Sequence, residues 1–312
     1  MKKTISIVIP VFNESGNLVP MMERLSRIFC DAFRYEIIFV DDGSTDDTLE
    51  SLKKIHSDNQ RVYYISFSRN FGHQNALKAG LDRAKGDCVV TLDGDLQHPP
   101  ELIPEMIALW ESGYEVVYTR RRDDKHLSLM KWKTSKYFCS FMKLMSGMPI
   151  EQGVADFRLL DRKVVDILIN LGENDLFLRG AVYWIGFRSH AIDYTPEKRY
   201  SGQTKYSIFK MFKLAVEGIT SFSVKPLYIS IFLGLVFILV SLVYLIYVIG
   251  IVFTGQTVPG WASIIVTIMF FGGLHMLVLG IIGIYIGKIF MQSKYRPSYV
   301  IKDTNHQLTT II

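Results

Sequence analysis

The sequence predicts an α/β domain with a mostly parallel, doubly wound sheet, followed by two membrane-spanning helices. Two patterns carry that prediction. Between residue 4 and about residue 120, short β-branched runs alternate with helical segments, the mark of a parallel sheet covered on both faces. Near the C-terminus, Leu227 to Phe253 and Trp261 to Gly287 each run 27 residues without Asp, Glu, Lys or Arg. At about 1.5 Å per residue each such helix reaches roughly 40 Å, more than the ~30 Å hydrocarbon core.

The first run, "ISIVIPVF", follows a basic start, but Pro10 and Asn13 break it too early for a signal sequence. It reads as the first buried strand, and Glu14 to Ala32 as the helix after it. "YEIIFVDD", "RVYYISFS", "DCVVTLDG" and "YEVVYT" are the next strands, with Gln74 to Ala84 a helix between the third and fourth. Pro99 and Pro100 suit the first turn of a helix, where a missing N–H costs nothing. Leu127 to Met148 and Lys205 to Phe222 mix lysines with large apolar residues at helical spacing. Each fits either a packed helix with a solvated basic face or a helix lying in the membrane interface. The expected organisation is a catalytic domain over 1–204, possibly with an amphipathic helix near 127–148, and an amphipathic juxtamembrane segment over 205–226. Spans at 227–253 and 262–287 follow, joined by an extracytoplasmic loop at 254–261, and then a cytoplasmic tail at 288–312.

The connector between the spans carries no charge, whereas Lys205, Lys210, Lys213, Lys225, Lys288, Lys294, Arg296 and Lys302 flank them. The positive-inside rule then places both termini in the cytoplasm. The net charge of +5 lies mostly near the spans and points to anionic headgroups rather than nucleic acid. Three scattered cysteines have no metal spacing and suit a reducing compartment. In the second span Gly280, Gly283 and Gly287 have the spacing of close helix packing, and His275 reads as a packed polar residue.

No G-x-G-x-x-G follows the first strand and no G-x-x-x-x-G-K-[ST] is present, so neither a dinucleotide loop nor a P-loop is available. Two acid pairs stand at strand ends instead, Asp41-Asp42 and Asp93-Asp95, where ligands of such sheets bind. Adjacent carboxylates repel each other and any phosphate unless a cation joins them. Mg²⁺ or Mn²⁺ suits such a place, taking one or two carboxylates plus substrate phosphates. For Asp41 and Asp42 before "GST", a turn with a helix cap is the competing structural reading. His98 receives no role.

"SIVIPVFNE", "VDDGSTDDT", "DGDLQHPP", "ADFRLLDR" and "RYSGQTKY", in this order and followed by two spans, resemble glycosyltransferase family 2. The likeness is to its bacterial polyprenyl-phosphate glycosyltransferases, related to dolichyl-phosphate mannose synthase, and covers nearly the whole chain. It implies a GT-A fold, a nucleotide-sugar donor, a polyprenyl-phosphate acceptor and inversion at the sugar. It places Pro10, Phe12, Glu14, Asp41, Asp42 and Arg69 around the donor nucleotide, with Asp93 there too. Asp93 and Asp95 form the D-x-D metal site, with Gln97 a further ligand. For the acceptor phosphate it points to Arg121 and Arg122, to Lys131 and Ser135, and to Arg199 and Lys205 in a Gly-containing loop. Asp124 stands where relatives often have a second Arg. Asp156 is expected to be catalytic or orienting, beside Arg158 as its partner, and Asp95 catalytic.

The expected reaction is transfer of glucose from UDP-glucose to undecaprenyl phosphate. GDP-mannose or a UDP-aminosugar is the alternative donor, and a non-catalytic sugar-nucleotide-binding scaffold the alternative class. Expected partners are the bilayer, further copies of the chain, a flippase and a downstream glycosyltransferase.

Overall fold

The computed structural model describes residues 3–29, 33–121, 145, 153–173, 177–195, 219–221, 223–253 and 260–306. The chain divides into two compact units. One comprises Met1–Lys143, Met148–Met211 and Arg296–Ile312, the other Leu144–Gly147 and Phe212–Tyr295.

The first unit is built on an eight-stranded sheet in the order β7-β5-β6-β4-β1-β2-β3-β8. Its strands are β1 Thr4–Val11, β2 Arg34–Asp41, β3 Val62–Phe67, β4 Cys88–Thr91, β5 Val116–Arg121, β6 Val154–Asp161, β7 Ser189–Tyr194 and β8 Ile301–Thr304. The first five are the runs read from the sequence. β1 pairs in parallel with β2 and β4, and β2 with β3, so the carboxyl ends of these strands share one edge. β6 enters antiparallel between β4 and β5, and β7 runs parallel to β5. The reversal of β6 brings its first residues, including Asp156, to the edge where β4 and β5 end.

Continuous burial explains the unbroken apolar strands. Ile5, Ile7, Val8 and Ile9 of β1 are fully buried, because helices cover both faces. Each such side chain contributes about 1.5–3 kcal/mol on leaving water. α1 Ser15–Ile28 turns Leu18, Met21 and Leu25 inward at helical spacing. α2 is Thr48–Asp58 and α3 His73–Arg83; a short 3₁₀ turn, Pro100–Leu102, leads into α4 Ile103–Glu111, as the proline pair foretold. α5 Arg162–Asn170 and α6 Leu178–Ile185 complete the described helices of this unit.

The residues near the C-terminus add a strand to this sheet. β8 pairs antiparallel with β3 and covers that edge of the sheet. Tyr299 stacks on Phe67 at 5.0 Å and donates to Asp82 at 2.8 Å.

The second unit contains α7 Lys225–Phe253 and α8 Trp261–Ser293. Both are long and apolar enough to cross a membrane. Phe237 packs on Phe271, and the Tyr285 hydroxyl donates to the Ser223 carbonyl at 2.6 Å. The G-x-x-x-G spacing does not produce close packing here, since a Cβ added at Gly280, Gly283 or Gly287 would meet nothing within 4 Å. His275 caps the Phe271 carbonyl of its own helix at 3.0 Å and is exposed rather than packed.

Candidate active site

The two acid pairs end neighbouring parts of one sheet but are used differently. Asp41 accepts from the Ser44 N–H at 2.9 Å and from the Ser66 hydroxyl at 2.7 Å. Asp42 accepts from the N–H groups of Phe71 at 2.7 Å and Gly72 at 3.0 Å. Burial raises the Asp42 carboxyl above its usual range, against the pull of those two N–H groups. Together the pair clamps the loops after β2 and β3. Gly43 sits between them with φ +71°, and a Cβ there would lie 2.4 Å from the Arg69 carbonyl carbon. The first N–H of α2, on Thr48, goes to Asp46 at 3.1 Å, whereas Ser44 and Thr45 bond to Asn13.

Asp93 is the centre of a different arrangement. Its Oδ1 lies 2.8 Å from His73 Nε2 and its Oδ2 lies 3.0 Å from His98 Nε2. His73 opens α3, where Gly72 at φ +100° turns the chain. His98 is buried, and its Nδ1 meets the Tyr194 hydroxyl at 2.7 Å. Burial alone would raise the Asp93 carboxyl, but the two imidazoles outweigh it and hold it far below the usual range. His73 moves the other way: desolvation pulls it down, and the bond and charge of Asp93 lift it to about 8. Burial pushes the Tyr194 phenol up to about 12 against the opposing charge of Arg121, with Asp93 and Asp95 adding to the rise. Tyr194 is the register partner of Arg121, so the chain of contacts from Asp93 ends beside that arginine.

On the other side of His73 stands Asp156, 3.9 Å from its Nδ1. Asp156 is only 4% exposed, and its partners are cations. Arg179 donates to both oxygens at 2.8 Å each, and Arg158 to Oδ1 at 3.1 Å. Gln74 Nε2 approaches Oδ2 at 3.4 Å. Burial favours the neutral acid, but the charge and bonds of Arg179, then the charge of Arg158, hold Asp156 below the usual carboxylate range. A carboxylate so placed resists protonation, which suits orientation better than general-base chemistry.

A hard divalent ion fits the D-x-D loop. Asp93 and Asp95 offer carboxylate oxygens, and each Asp93 oxygen keeps a second lone pair beyond its imidazole. Leu96 takes φ +59°, and the Gln97 N–H bonds to Asp95 at 3.1 Å, so the loop curls around these groups. Among the described residues no cluster of three or more His, Cys, Asp or Glu could cage a metal unaided.

The remaining expected residues divide clearly. Pro10 is buried, with its carbonyl 3.1 Å from where a Cβ on Gly94 would stand, so the D-x-D loop lies directly on β1. Phe12 is 38% exposed, and Glu14 accepts from the Asn17 amide. Arg69 is exposed with its guanidinium 4.0 Å from the Phe71 ring centre, and makes no ion pair among the described residues. Arg121 ends β5. Arg122, Lys131, Ser135, Arg199 and Lys205 lie outside the described residues.

Reading the sequence missed His73, His98, Arg179 and Tyr194. Arg179 left a signal, an isolated cation in the apolar run "LFLRGAV", which requires a buried carboxylate partner. His98 directly follows the D-x-D loop, but nothing local shows that Tyr194, 96 residues away, fixes its ring.

The Glycosyl transferase family 2 model matches residues 6–169. The chain is 42% identical over 299 residues to "Uncharacterized glycosyltransferase YkcC" of Bacillus subtilis, covering 95% of this chain and 93% of that one. It is 38% identical over 301 residues to the "Prophage bactoprenol glucosyl transferase homolog" of Escherichia coli, covering 96% and 98%. The "Bactoprenol glucosyl transferase" of Shigella phage SfV is 38% identical over 302 residues with the same coverage. With its GT-A-like sheet, the chain belongs to glycosyltransferase family 2.

Proposed function

We propose that this protein transfers glucose from UDP-glucose to polyprenyl phosphate, undecaprenyl phosphate in a bacterial membrane, with inversion at the anomeric carbon. The observation that carries the reading is the contact chain centred on Asp93. It runs through His73 to Asp156 and Arg179 and through His98 to Tyr194, ending beside Arg121. In this reading the cations of that chain would face the two phosphate-bearing substrates. The full-length likeness to bactoprenol glucosyl transferases supports the lipid acceptor and the sugar.

In the proposed reaction an oxygen of the lipid phosphate attacks the anomeric carbon. The new C–O bond forms as the bond to the nucleoside diphosphate breaks, and the diphosphate departs with the electron pair. The second pKa of a phosphate monoester is about 6, so the nucleophile is already anionic at neutral pH and needs no base. Asp156 therefore orients, while Arg121 draws the acceptor phosphate toward the donor. Asp93 and Asp95, with Gln97 beside them, would hold Mg²⁺ or Mn²⁺, which supplies positive charge to the departing diphosphate.

The two apolar helices would cross the inner membrane. That β7 precedes them and β8 follows them in one sheet supports both flanks of the hairpin lying on one side, and the flanking lysines favour the cytoplasmic side. The product, a polyprenyl-phosphate sugar, would serve glycosylation across the membrane through a flippase and a downstream glycosyltransferase, and self-association through the spans is part of this reading.

The test offers purified full-length protein a panel of nucleotide sugars with polyprenyl phosphate and Mg²⁺ or Mn²⁺. Glucosyl lipid from UDP-glucose is expected. Transfer from another donor only would replace the sugar, and no transfer from any donor would sink the reading.

A further inference from the structure

We propose that Tyr299, on the stretch between α8 and β8, is a positioning residue for the loop over 68–72, and through that loop for donor binding. The donor half of the assignment rests on the glycosyltransferase reading above, in which Asp42 and Arg69 stand beside the nucleotide.

The loop is held from two sides. On one side lies the turn after β2, where Asp42 accepts the N–H groups of Phe71 and Gly72. Gly43 of that turn leaves room for the loop backbone, since a Cβ there would lie 2.4 Å from the Arg69 carbonyl carbon and 2.7 Å from the Asn70 nitrogen. On the other side lies the C-terminal stretch, which belongs to the same compact unit as β3. The Val300 carbonyl accepts from the Ser68 N–H at 3.0 Å, so backbone pairing continues one residue past the end of β3 and into the loop.

Tyr299 joins three pieces at that point. Its ring stacks on Phe67 at 5.0 Å with 15° between the planes, and Phe71 of the loop stands edge-on to Phe67 at 5.7 Å and 87°. Phe67 itself is buried, so the stack is fixed from within the core. The Tyr299 hydroxyl donates to Asp82, in the last turn of α3, at 2.8 Å, and Arg83 bonds to the same hydroxyl. Lys78 holds the other Asp82 oxygen at 3.2 Å. One side chain thus ties the end of β3, the aromatic residue of the loop and the far end of the helix that the loop opens.

The strand pairing points the same way. Ser66 faces Asp303 but Phe67 faces Ile301, so the register slips between them. Such an irregularity re-aims side chains where it falls, and it falls at the residue whose ring Tyr299 covers. Covering the edge of β3 would need neither the slip nor the stack. A loop ordered in advance binds its ligand without the cost of ordering it then.

The test uses full-length protein and compares wild type with Tyr299→Ala, Tyr299→Phe and Asn305→Ala, all below their melting temperatures. Asn305 closes the other end of the same strand pair, taking the Tyr64 N–H at 2.7 Å, so Asn305→Ala loosens the edge away from the loop. Hydrogen exchange of peptides covering 68–76 is read by mass spectrometry, and equilibrium affinity is measured for UDP and for GDP. Tyr299→Ala is expected to speed that exchange, and to weaken the nucleotide that wild type binds, by about threefold to tenfold, the strength of an aromatic pair. Tyr299→Phe keeps the stack and loses the hydroxyl bonds, and should fall between the two. Asn305→Ala should lower the melting temperature and leave both quantities at their wild-type values.

Unchanged exchange in Tyr299→Ala, or in Tyr299→Phe where the alanine variant does not fold, overturns the assignment. So does an equal rise in Asn305→Ala, which would make Tyr299 part of the sheet edge alone. Faster exchange with unchanged nucleotide affinity overturns the donor role. Wild type that binds neither nucleotide and transfers no sugar sinks the enzyme reading instead, and the exchange arm still decides what Tyr299 holds.

Discussion

Asp41-Asp42 and Asp93-Asp95 are the same residue type, at the same edge of the same sheet, and they do different work. The first pair spends its oxygens on the Ser44, Phe71 and Gly72 N–H groups of the loops it holds and on the Ser66 hydroxyl of β3. In the second pair Asp93 turns to two histidines, one of which stands beside Asp156 and the other against Tyr194. The difference teaches that an acid at a strand end is read by its partners: loop N–H donors make it a strap, and titratable side chains make it a candidate for the reacting centre. A direct bond from Asp42 to base or ribose would have to share or displace the N–H groups of Phe71 and Gly72.

The largest effect that sharpens this contrast is expected at Asp93. Asp93→Asn should lower turnover on the order of 10²–10³-fold or more, as for loss of a group that stabilises developing charge. Steady-state rates check it, and near-normal turnover would remove the D-x-D loop from the chemistry. His98→Gln comes next. It frees Asp93 from one imidazole and uncouples Tyr194, and outer partners of metal ligands are worth about 10–100-fold. That loss should appear in metal affinity, measured by titration, as well as in rate. An unchanged affinity would make His98 a core residue only.

Asp42→Asn should act on stability instead, costing about 1–3 kcal/mol by leaving buried N–H groups poorly paired. Thermal melting reads this as a fall of several degrees. The smallest effect is pH-dependent. Asp156 is held below its usual value of 3.8, so its contribution is full above that pH and is lost as pH falls through 3.8 toward the folded value. Melting temperature should therefore drop less steeply between pH 5 and pH 3 in Asp156→Asn than in wild type; equal slopes would contradict the ion cluster.

The same contrast shows how much was legible in advance. β1 to β5 could be read because strands buried on both faces are apolar throughout, and the two long helices because Leu227 to Phe253 and Trp261 to Gly287 carry no Asp, Glu, Lys or Arg. The D-x-D pair stood out because two carboxylates one residue apart at a strand end repel each other unless something joins them. β6 was not recognised as a strand, since its antiparallel place between β4 and β5 depends on pairing partners distant in the chain. β8 was hidden for the same reason: four residues beyond a span become a strand only because β3 leaves an open edge. His73 and Tyr194 belong to the site through folding alone, as neither carries a local signal beyond its residue type.

The central claim is that the chemistry belongs to the second acid pair and the scaffold to the first. The most direct measurement is the initial rate of sugar transfer to polyprenyl phosphate by Asp93→Asn and Asp42→Asn, side by side, at a temperature where both are folded. The account predicts a collapse in the first and a rate within a fewfold of wild type in the second. Equal collapse in both would contradict it.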